Sequence, residues 1–313
     1  MLTYNVYYFL KPFIPRSLQV ALRKRIVLKK RSRYEHLWPI DPGSARKPAN
    51  WTGWPEGKRF ALVLTHDIES AKGADRCRAV VEMEKKLGFR SIFNFVAEEY
   101  PLEETLFAYL RENGFEIGLH GLRHDGNLFR SKEGFLNQAP KINDYLKKWK
   151  VGGFRTPSMY KNLEWMSCLD IEYDMSTFDT DPFEPQPEGV GTIFPFWSQH
   201  NARKGHVELP YTLPQDFTLF VLMGEKGIEI WKKKLDWIAD QGGMALLITH
   251  PDYMNIEKDR CAIDEYSVAF YEAFLEYVKK QYEGRYWNPL PKAMARFWKE
   301  TVVNKGEGTP QVG

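Results

Sequence analysis

The sequence predicts an α/β protein whose parallel sheet is closed, or nearly closed, into a barrel. Segments of strand-like and helical periodicity alternate from residue 60 to residue 282, which is typical of βαβ units around a parallel sheet. Two apolar runs, 60–64 and 244–248, contain no polar residue, as expected for strands buried on both faces. Polar side chains follow several strands directly, at the positions where α/β folds collect functional groups.

Hydrophobic patterning predicts the elements in chain order. Strands are expected from residue 60 and over 91–96, 115–119, 153–155, 172–175, 207–209 and 244–249. Helices are expected over 74–87, 103–113, 131–149, 162–169, 228–241 and 264–282. Gly88 and Gly114 end the first two helices, and the third is predicted despite Pro140. The barrel is expected to occupy residues 51–290, between an N-terminal arm with its linker (1–50) and a C-terminal tail (291–313).

Composition describes an ordinary globular protein, with 43% hydrophobic and 27% charged residues in a chain of 313. Three cysteines lie far apart, which argues against a disulfide framework and favours a reducing compartment. The net charge of +3 is too small to predict a nucleic-acid partner. Because neither an apolar run of 18 residues nor a signal-peptide pattern is found, we expect a cytoplasmic protein, with peripheral binding to the inner face of the membrane as an addition.

The N-terminal arm is basic and aromatic. Residues 1–34 contain nine Lys or Arg and no acidic residue, and several aromatic residues precede most of the basic ones. Ser17 is a candidate helix cap, and Leu18, Leu22 and Ile26 recur every four residues after it. Such a helix is suited to an anionic membrane surface. The alternative is an arm that packs its apolar face on the parent domain.

Two carboxylates stand at the end of the first strand. Side chains alternate along a strand, so Asp67 and Glu69 are expected to point the same way. This arrangement predicts a metal site, or a base beside a metal ligand, and the alternative is a pair of solvated acids. The third strand runs into His120 and His124, and imidazoles with a carboxylate suit Zn²⁺.

Two further strand ends carry candidate catalytic groups. Arg155, between glycines and a proline, is suited to holding a carboxylate, either in the site or as a structural ion pair. His250 closes the last apolar strand, and its imidazole is suited to general acid catalysis, the alternative being a buried core histidine.

In this order, the motifs resemble those of the polysaccharide deacetylases, the NodB-homology proteins of carbohydrate esterase family 4. Five segments carry the resemblance: 65–69 (Thr-His-Asp-Ile-Glu), 120–124 (His-Gly-Leu-Arg-His), 155–157 (Arg-Thr-Pro), 173–176 (Tyr-Asp-Met-Ser) and 247–250 (Leu-Ile-Thr-His). The segment 208–216 is also similar to one in exopolysaccharide-associated members. The resemblance covers residues 58–285 and implies a distorted (β/α)7 barrel of the glycoside hydrolase/deacetylase type.

The first motif departs from the usual Thr-Phe-Asp-Asp-Gly, because Ile68 stands where a metal-binding Asp is usual. Relatives with Asp-x-Asp use the first Asp as base and the later one as ligand, which implies Asp67 as base and Glu69 as ligand. If Glu69 does not reach the ion, Asp67 becomes the ligand instead. Gly121 replaces the usual hydroxyl residue of the second motif and is expected to loosen the histidine loop without removing a ligand.

The resemblance implies a metal-dependent hydrolase that removes N-acetyl groups from a polysaccharide or lipid-linked sugar, in envelope or exopolysaccharide biosynthesis. The implied ion is Zn²⁺, and its implied ligands are Glu69, His120 and His124. Asp67 is the implied base, Arg155 holds it, and His250 protonates the leaving amine.

Other residues receive supporting roles from the same resemblance. Asp174 or Asp181 is expected to orient His250 or Arg155. Substrate binding is assigned to Pro157, Trp197 and Tyr211, with the aromatic rings stacking on a sugar. Two other functions remain open: a metal-free hydrolase of cyclic amides such as allantoin, and a non-catalytic saccharide-binding scaffold that the arm holds at the membrane.

Overall fold

Strand β1 (Phe60–Ile68) is the centre of the sheet, and all nine of its residues are buried. It pairs in parallel with β2 (Ser91–Phe95) and, through residues 61–66, with β8 (Met244–Thr249). The computed structural model describes residues 15–200, 204–257 and 260–304. Burial on both faces explains the uninterrupted apolar sequence of β1 and β8, since neither face meets water.

The remaining strands are short. In chain order they are β3 (Glu116–Leu119), β4 (Gly153–Phe154), β5 (Tyr173–Asp174), β6 (Phe196–Ser198), β7 (His206–Glu208), β9 (Met254–Asn255), β10 (Tyr266–Ser267) and β11 (Tyr286–Trp287). The main sheet has the order β11-β1-β2-β3-β4-β5-β7-β6, and β8 also pairs with β1. Only the β6–β7 pair of this sheet is antiparallel among the described residues, and β9 and β10 form a separate two-stranded sheet.

Helices surround the sheet. They are α1 (Arg16–Arg33), α2 (Ala71–Leu87), α3 (Glu104–Glu112), α4 (Lys132–Trp149), α5 (Leu163–Met166), α6 (Glu229–Gln241), α7 (Ala269–Tyr282) and α8 (Pro291–Trp298). Short 3₁₀ turns and two π-helices, Phe217–Met223 and Lys299–Val303, complete the structure. Gly88 adopts a left-handed conformation at the end of α2, as its position in the sequence predicted.

The two ends of the curled sheet meet. Leu213, which follows β7, forms an isolated parallel bridge with Leu247 of β8. The backbone N–H of Thr212 also donates to the carbonyl of Leu246 at 3.1 Å. The parallel strands β1, β2, β3, β4, β5, β7 and β8 therefore curl into a barrel, which confirms the predicted fold class.

The long predicted elements are confirmed, with bounds that differ by a few residues. Residues 264–268, which were predicted as helical, contain β10, and α7 begins only at Ala269. Strand β6, the π-helix Phe217–Met223 and helix α8 were not predicted. These elements are short, and a few residues of apolar sequence do not distinguish a strand from a helix.

Segments from both ends of the chain pack near the start of β1. Trp51 and Trp298 have ring centroids 5.3 Å apart, and Trp54 lies 6.1 Å from Trp287 of β11. Met294 and Trp298 of α8 are buried. The end of the barrel opposite Asp67 is thus covered by aromatic residues from the linker and from the segment after residue 290.

The predicted helix of the arm is confirmed as α1, although Pro15 rather than Ser17 precedes its first residue. Val20 and Val27 are buried, and the helix packs on the π-helix Phe217–Met223. The predicted apolar stripe faces outward: Leu18, Leu22 and Ile26 are 49%, 43% and 57% exposed. The aromatic residues ahead of position 15 lie outside the described residues. None of the helices in the described part of the chain combines the length and apolar content that a bilayer span requires.

Candidate metal centre and active site

Asp67 lies near the C-terminal end of β1 and is only 2% exposed. Its Oδ1 accepts hydrogen bonds from Asn94 and from Arg155 Nη1, each at 2.9 Å. Burial raises the pKa of Asp67, but the charge of Arg155 above all, with the charge of His250 and the hydrogen bond from Asn94, more than offsets this and holds that pKa below its ordinary value. Asp67 is therefore a carboxylate at neutral pH, able to accept a proton.

Two neighbouring strands, β2 and β3, support Asp67. In the sheet register Asp67 stands beside Asn94 of β2, and Asn94 stands beside Gly118 of β3. A Cβ atom at Gly118 would lie 2.1 Å from the Asn94 side-chain oxygen, so only glycine leaves room for this amide. Sequence reasoning missed this support, and its signal was the polar Asn94 inside the buried strand 91–95.

Glu69 follows β1 and is held from both sides. Its Oε1 lies 3.1 Å from His124 Nε2, and its Oε2 accepts a hydrogen bond from the Tyr253 hydroxyl at 2.6 Å. The backbone N–H of Glu69 donates to Asp252 at 3.0 Å. Burial raises the pKa of Glu69, but His124 more than offsets it, so the pKa lies well below its ordinary value. Glu69 is therefore ionised.

His120, which follows β3, is arranged as a neutral ligand. Its Nδ1 lies 3.1 Å from the backbone carbonyl oxygen of Arg155, an acceptor, so Nδ1 carries the hydrogen and Nε2 carries the lone pair. Burial lowers the pKa of His120 to about 4, which keeps the imidazole neutral. A hydrogen bond from the second ring nitrogen is the usual way in which proteins orient a metal-binding histidine.

Glu69, His120 and His124 each place one ligand atom so that the three atoms lie within 4.8 Å of one another. One ionised carboxylate and two imidazoles fit the preferences of Zn²⁺, and three protein ligands leave a further position open, as catalytic zinc sites do. The donor set predicted from the sequence is thus brought together, and Glu69 reaches the two histidines despite its departure from the usual motif. The identity of the ion stays a prediction.

His250 also lies close to Glu69, with Nε2 3.8 Å from Glu69 Oε1. Its Nδ1 and its backbone N–H both bond to the Asp216 carboxylate at 2.7 Å. The Tyr266 hydroxyl also donates to Asp216, at 2.9 Å. Burial lowers the pKa of His250, but Asp216 outweighs it and raises the pKa to about 10. Protonated His250 can therefore donate a proton from Nε2.

The partner of His250 is Asp216, not Asp174 or Asp181. Asp174 accepts hydrogen bonds from the backbone and side chain of Ser176, both at 2.7 Å, and Asp181 accepts one from Tyr211. Asp216 lies 34 residues from His250 along the chain, so the spacing of the motifs did not connect the two residues. The segment 208–216, which the resemblance singled out, was the available signal.

Arg155 is fully buried and connects several parts of the site. Its Nη1 donates to Asp67 at 2.9 Å and to Thr65 at 2.7 Å, and its Nε donates to the Met175 carbonyl at 2.9 Å. The sequence left two interpretations of Arg155 open, a residue that holds a carboxylate of the site and a structural ion pair. Both describe the same contact, because the carboxylate with which Arg155 pairs is that of Asp67.

The residues that were expected to bind substrate do not line the cavity. Pro157 is buried beneath the histidine loop, and Tyr211 is buried with its hydroxyl against Asp181 and Glu184. Trp197 lies on β6 with Lys299 over its ring at 5.5 Å. Trp197 lies outside the cavity, because its strand β6 is the antiparallel strand at the edge of the sheet.

Gly121, expected to loosen the histidine loop, is instead required there. It has a positive φ of 71°, and a Cβ atom at this position would lie 2.7 Å from Pro157 Cγ. Glycine is therefore the residue that allows this backbone conformation and this close packing. The loop between His120 and His124 is held by Pro157 rather than by a hydroxyl side chain.

We expect Gly121→Ser to lower the free energy of unfolding by about 2–5 kcal/mol. A left-handed conformation costs a residue with a Cβ about 1–2 kcal/mol, and overpacking adds about 1–3 kcal/mol. Urea unfolding of the two proteins measures the difference. Gly284→Ser is the matched control, because Gly284 has a φ of 74° with nothing within 4 Å of the added atom. An equal loss of unfolding free energy in both variants would show that contact with Pro157 adds no cost at position 121.

A cavity of about 470 Å³ opens above the donor set. Its floor contains Asp67, Glu69, His120, His124 and His250. One wall comes from the loop that carries Phe183 and Glu184, and another from the π-helix beginning at Phe217. Another wall is helix α1, which was predicted to be an arm outside the site.

The fold is similar to that of solved polysaccharide deacetylase barrels. A candidate polysaccharide deacetylase from Mycobacterium smegmatis aligns with 85% of this chain and 99% of its own, at a TM-score of 0.57 and 16% identity. Another candidate polysaccharide deacetylase, from Pseudomonas aeruginosa PAO1, aligns with 80% of this chain and 94% of its own, at 0.55 and 16%. The resemblance carried by the motifs is confirmed for the fold.

The Puue allantoinase has a similar fold, with a TM-score of 0.58, 16% identity, and coverage of 85% of this chain and 98% of its own. No family model and no curated protein sequence matches the chain. At these identities the likeness concerns the fold, and one fold hosts several activities. The activity has to be argued from the side chains of the site.

Proposed function

We propose that this protein is a metal-dependent hydrolase that removes an N-acetyl group from a saccharide. The observation that carries the proposal is the convergence of Glu69, His120 and His124 in one cavity with Asp67, which Arg155 holds, and His250, which Asp216 holds. Amide hydrolysis requires a base for the attacking water and an acid for the leaving amine, and these groups have the matching protonation states.

Each group has a defined part in the proposed reaction. A divalent cation bound by Glu69, His120 and His124 would polarise the acetyl carbonyl and lower the pKa of water. Asp67 accepts the proton of the attacking water while Arg155 and Asn94 hold its other oxygen. His250 donates its Nε2 proton to the leaving amine, and Asp216 keeps the ring oriented and protonated.

Acetate release from a chitin oligosaccharide, measured with the zinc-loaded full chain, tests the proposal. We expect turnover that is lost on chelation and restored by added Zn²⁺. Acetate release that survives chelation would reject the metal mechanism. Ring opening of allantoin by the chelated protein, with no acetate release from the saccharide, would instead favour the metal-free hydrolysis of cyclic amides; the Puue allantoinase has a similar fold. Saccharide binding without turnover would favour the non-catalytic scaffold.

We also propose that α1 binds an anionic membrane surface. Its exposed stripe of Leu18, Leu22 and Ile26 supports this, and so do the basic residues Arg25, Lys29 and Arg33 beside it, with no acidic residue in the helix. An acetylated sugar carried by a lipid, in the synthesis of an envelope or exopolysaccharide, would meet the cavity at such a surface.

We expect Leu22→Glu to lower the partition coefficient on vesicles rich in phosphatidylserine by at least about ten-fold. Burying one leucine contributes about 1.5–3 kcal/mol, and about 1.4 kcal/mol corresponds to a factor of ten. Co-sedimentation with vesicles measures the coefficient. Leu136→Glu is the matched control, since Leu136 is a similarly exposed leucine (39%) on α4. Equal partitioning of the two variants would remove the membrane role of α1.

A further inference from the structure

Helix α1 contributes a row of cations to the cavity that the proposed chemistry does not use. Arg16, Arg23 and Lys30 all line the cavity. They are spaced by seven residues, which is close to two helical turns, so they share one face of α1. Buried Val27 lies on the same side and fixes that face against the barrel.

The positive charge of this row is compensated only in part. Arg16 forms an ion pair with Asp264 at 2.9 Å. Lys30 donates to the backbone carbonyl of Pro182 at 2.8 Å, and the Arg23 guanidinium lies over the Phe217 ring at 4.9 Å. Within the part of the chain that the structure describes, neither Lys30 nor Arg23 has a carboxylate at ion-pair distance.

Two of the carboxylates that share the cavity, Asp67 and Glu69, are engaged by other groups, and Glu184 lies near Arg23 without pairing with it. Asp67 is bonded to Arg155, and Glu69 to His124 and Tyr253. Glu184 accepts hydrogen bonds from Tyr211, at 2.8 Å, and from Gln215. A ligand whose negative charge lies beside α1 would therefore balance the positive charges of Arg23 and Lys30.

Two aromatic rings separate these cations from the donor set. The Phe217 and Tyr253 centroids are 4.5 Å apart, and the Tyr253 hydroxyl bonds to Glu69 at 2.6 Å. Arg16 also lies over both rings, at 5.7 and 5.9 Å. A ligand with its acetamido group at the donor set would thus lie along Tyr253 and Phe217 and place an adjacent substituent near Arg23.

We propose that the substrate is an acetamido sugar that bears a phosphate ester, and that Arg23 and Lys30, assisted by Arg16, bind the phosphate. Guanidinium groups match phosphate oxygens in a bidentate way, and lysine adds a point charge. A 2-acetamido sugar 1-phosphate carries the acetamido group and the phosphate on neighbouring carbons of one ring, so a single ligand presents both groups. The inference rests on the proposed function, because it takes the acetamido group as the reacting part.

Titration calorimetry with the metal-free full chain tests the binding step separately from turnover. We expect N-acetylglucosamine 1-phosphate to bind at least about ten-fold more tightly than N-acetylglucosamine, since a hydrogen bond to a charged group contributes at least that factor. Arg23→Ala should abolish this preference. Arg25→Ala is the control, because Arg25 is exposed on the same helix and does not line the cavity.

Three results would overturn the inference. These are equal affinity for the two sugars, an unchanged preference in Arg23→Ala, and inorganic phosphate binding as tightly as the sugar phosphate, which would indicate an anion site unrelated to a saccharide. Tighter binding of glucuronic acid than of the sugar phosphate would assign the row to a carboxylate instead.

Turnover separates this inference from the proposed function. Preferential binding of the sugar phosphate without acetate release by the zinc-loaded protein would leave the phosphate site standing and reject the deacetylase. Acetate release at the same kcat/KM from neutral and phosphorylated sugars would support the deacetylase and reject the phosphate site.

Discussion

Glu69→Ala is expected to abolish both bound metal and activity. Glu69 is the only carboxylate of the donor set, and its Oε1 lies 3.1 Å from His124. Its loss leaves only two imidazoles as ligands and removes the negative charge that attracts the cation. Loss of an outer-sphere partner already costs about 10–100-fold in metal affinity, so loss of this ligand should cost more than about 100-fold. Elemental analysis after gel filtration, beside acetate release, measures both effects.

Glu99→Ala is the control for this experiment. Glu99 is an exposed carboxylate that accepts a hydrogen bond from the backbone of His124 at 3.2 Å, but its side chain is not part of the donor set. It should retain one equivalent of zinc. Full zinc content in Glu69→Ala would mean that the ion uses other ligands, and the motif would have to be interpreted again with Asp67 as the ligand.

Asp67→Asn is expected to retain the metal and to lose activity. The asparagine side chain has nearly the same shape and preserves a carbonyl oxygen for Asn94 and Arg155, but it cannot take up a proton. A general base contributes about 10²–10⁴-fold to rate, and we expect kcat to fall by that factor. Steady-state kinetics of the zinc-loaded variant, with metal content measured on the same sample, gives the result.

The two variants together distinguish the alternatives left open by Ile68. If Asp67 were the ligand, Asp67→Asn would lose zinc and Glu69→Ala would keep it. Asp67→Asn also weakens a buried ion pair with Arg155, so a structural effect has to be separated from a chemical one. Asp179→Asn serves this purpose, because Asp179 forms an equally buried ion pair with Lys234 at 2.5 Å. It should lose stability and keep kcat.

Local sequence patterns predicted most elements of the fold. The apolar runs of β1 and β8 and the periodicity of the long helices depend on neighbours within a few residues, so they are visible without any contact between distant segments. The strand-end residues were also predictable, because parallel strands of one sheet direct their C-terminal ends to one edge. This is why Asp67, Glu69, His120, His124 and His250 were named from the sequence and line one cavity.

The tertiary structure decided which groups support and complete the site. Asp216 bonds to His250 although 34 residues separate them along the chain. Asn94 can bond to Asp67 because Gly118 leaves room for its amide. Helix α1 packs against the π-helix Phe217–Met223 and so forms a wall of the cavity. Trp197 and Tyr211, chosen for their rings alone, lie outside the cavity. Residue type and spacing along the chain indicate which groups gather at a strand end. Which distant segments then pack over that end depends on the shapes and volumes of side chains from the whole barrel, which no local pattern contains.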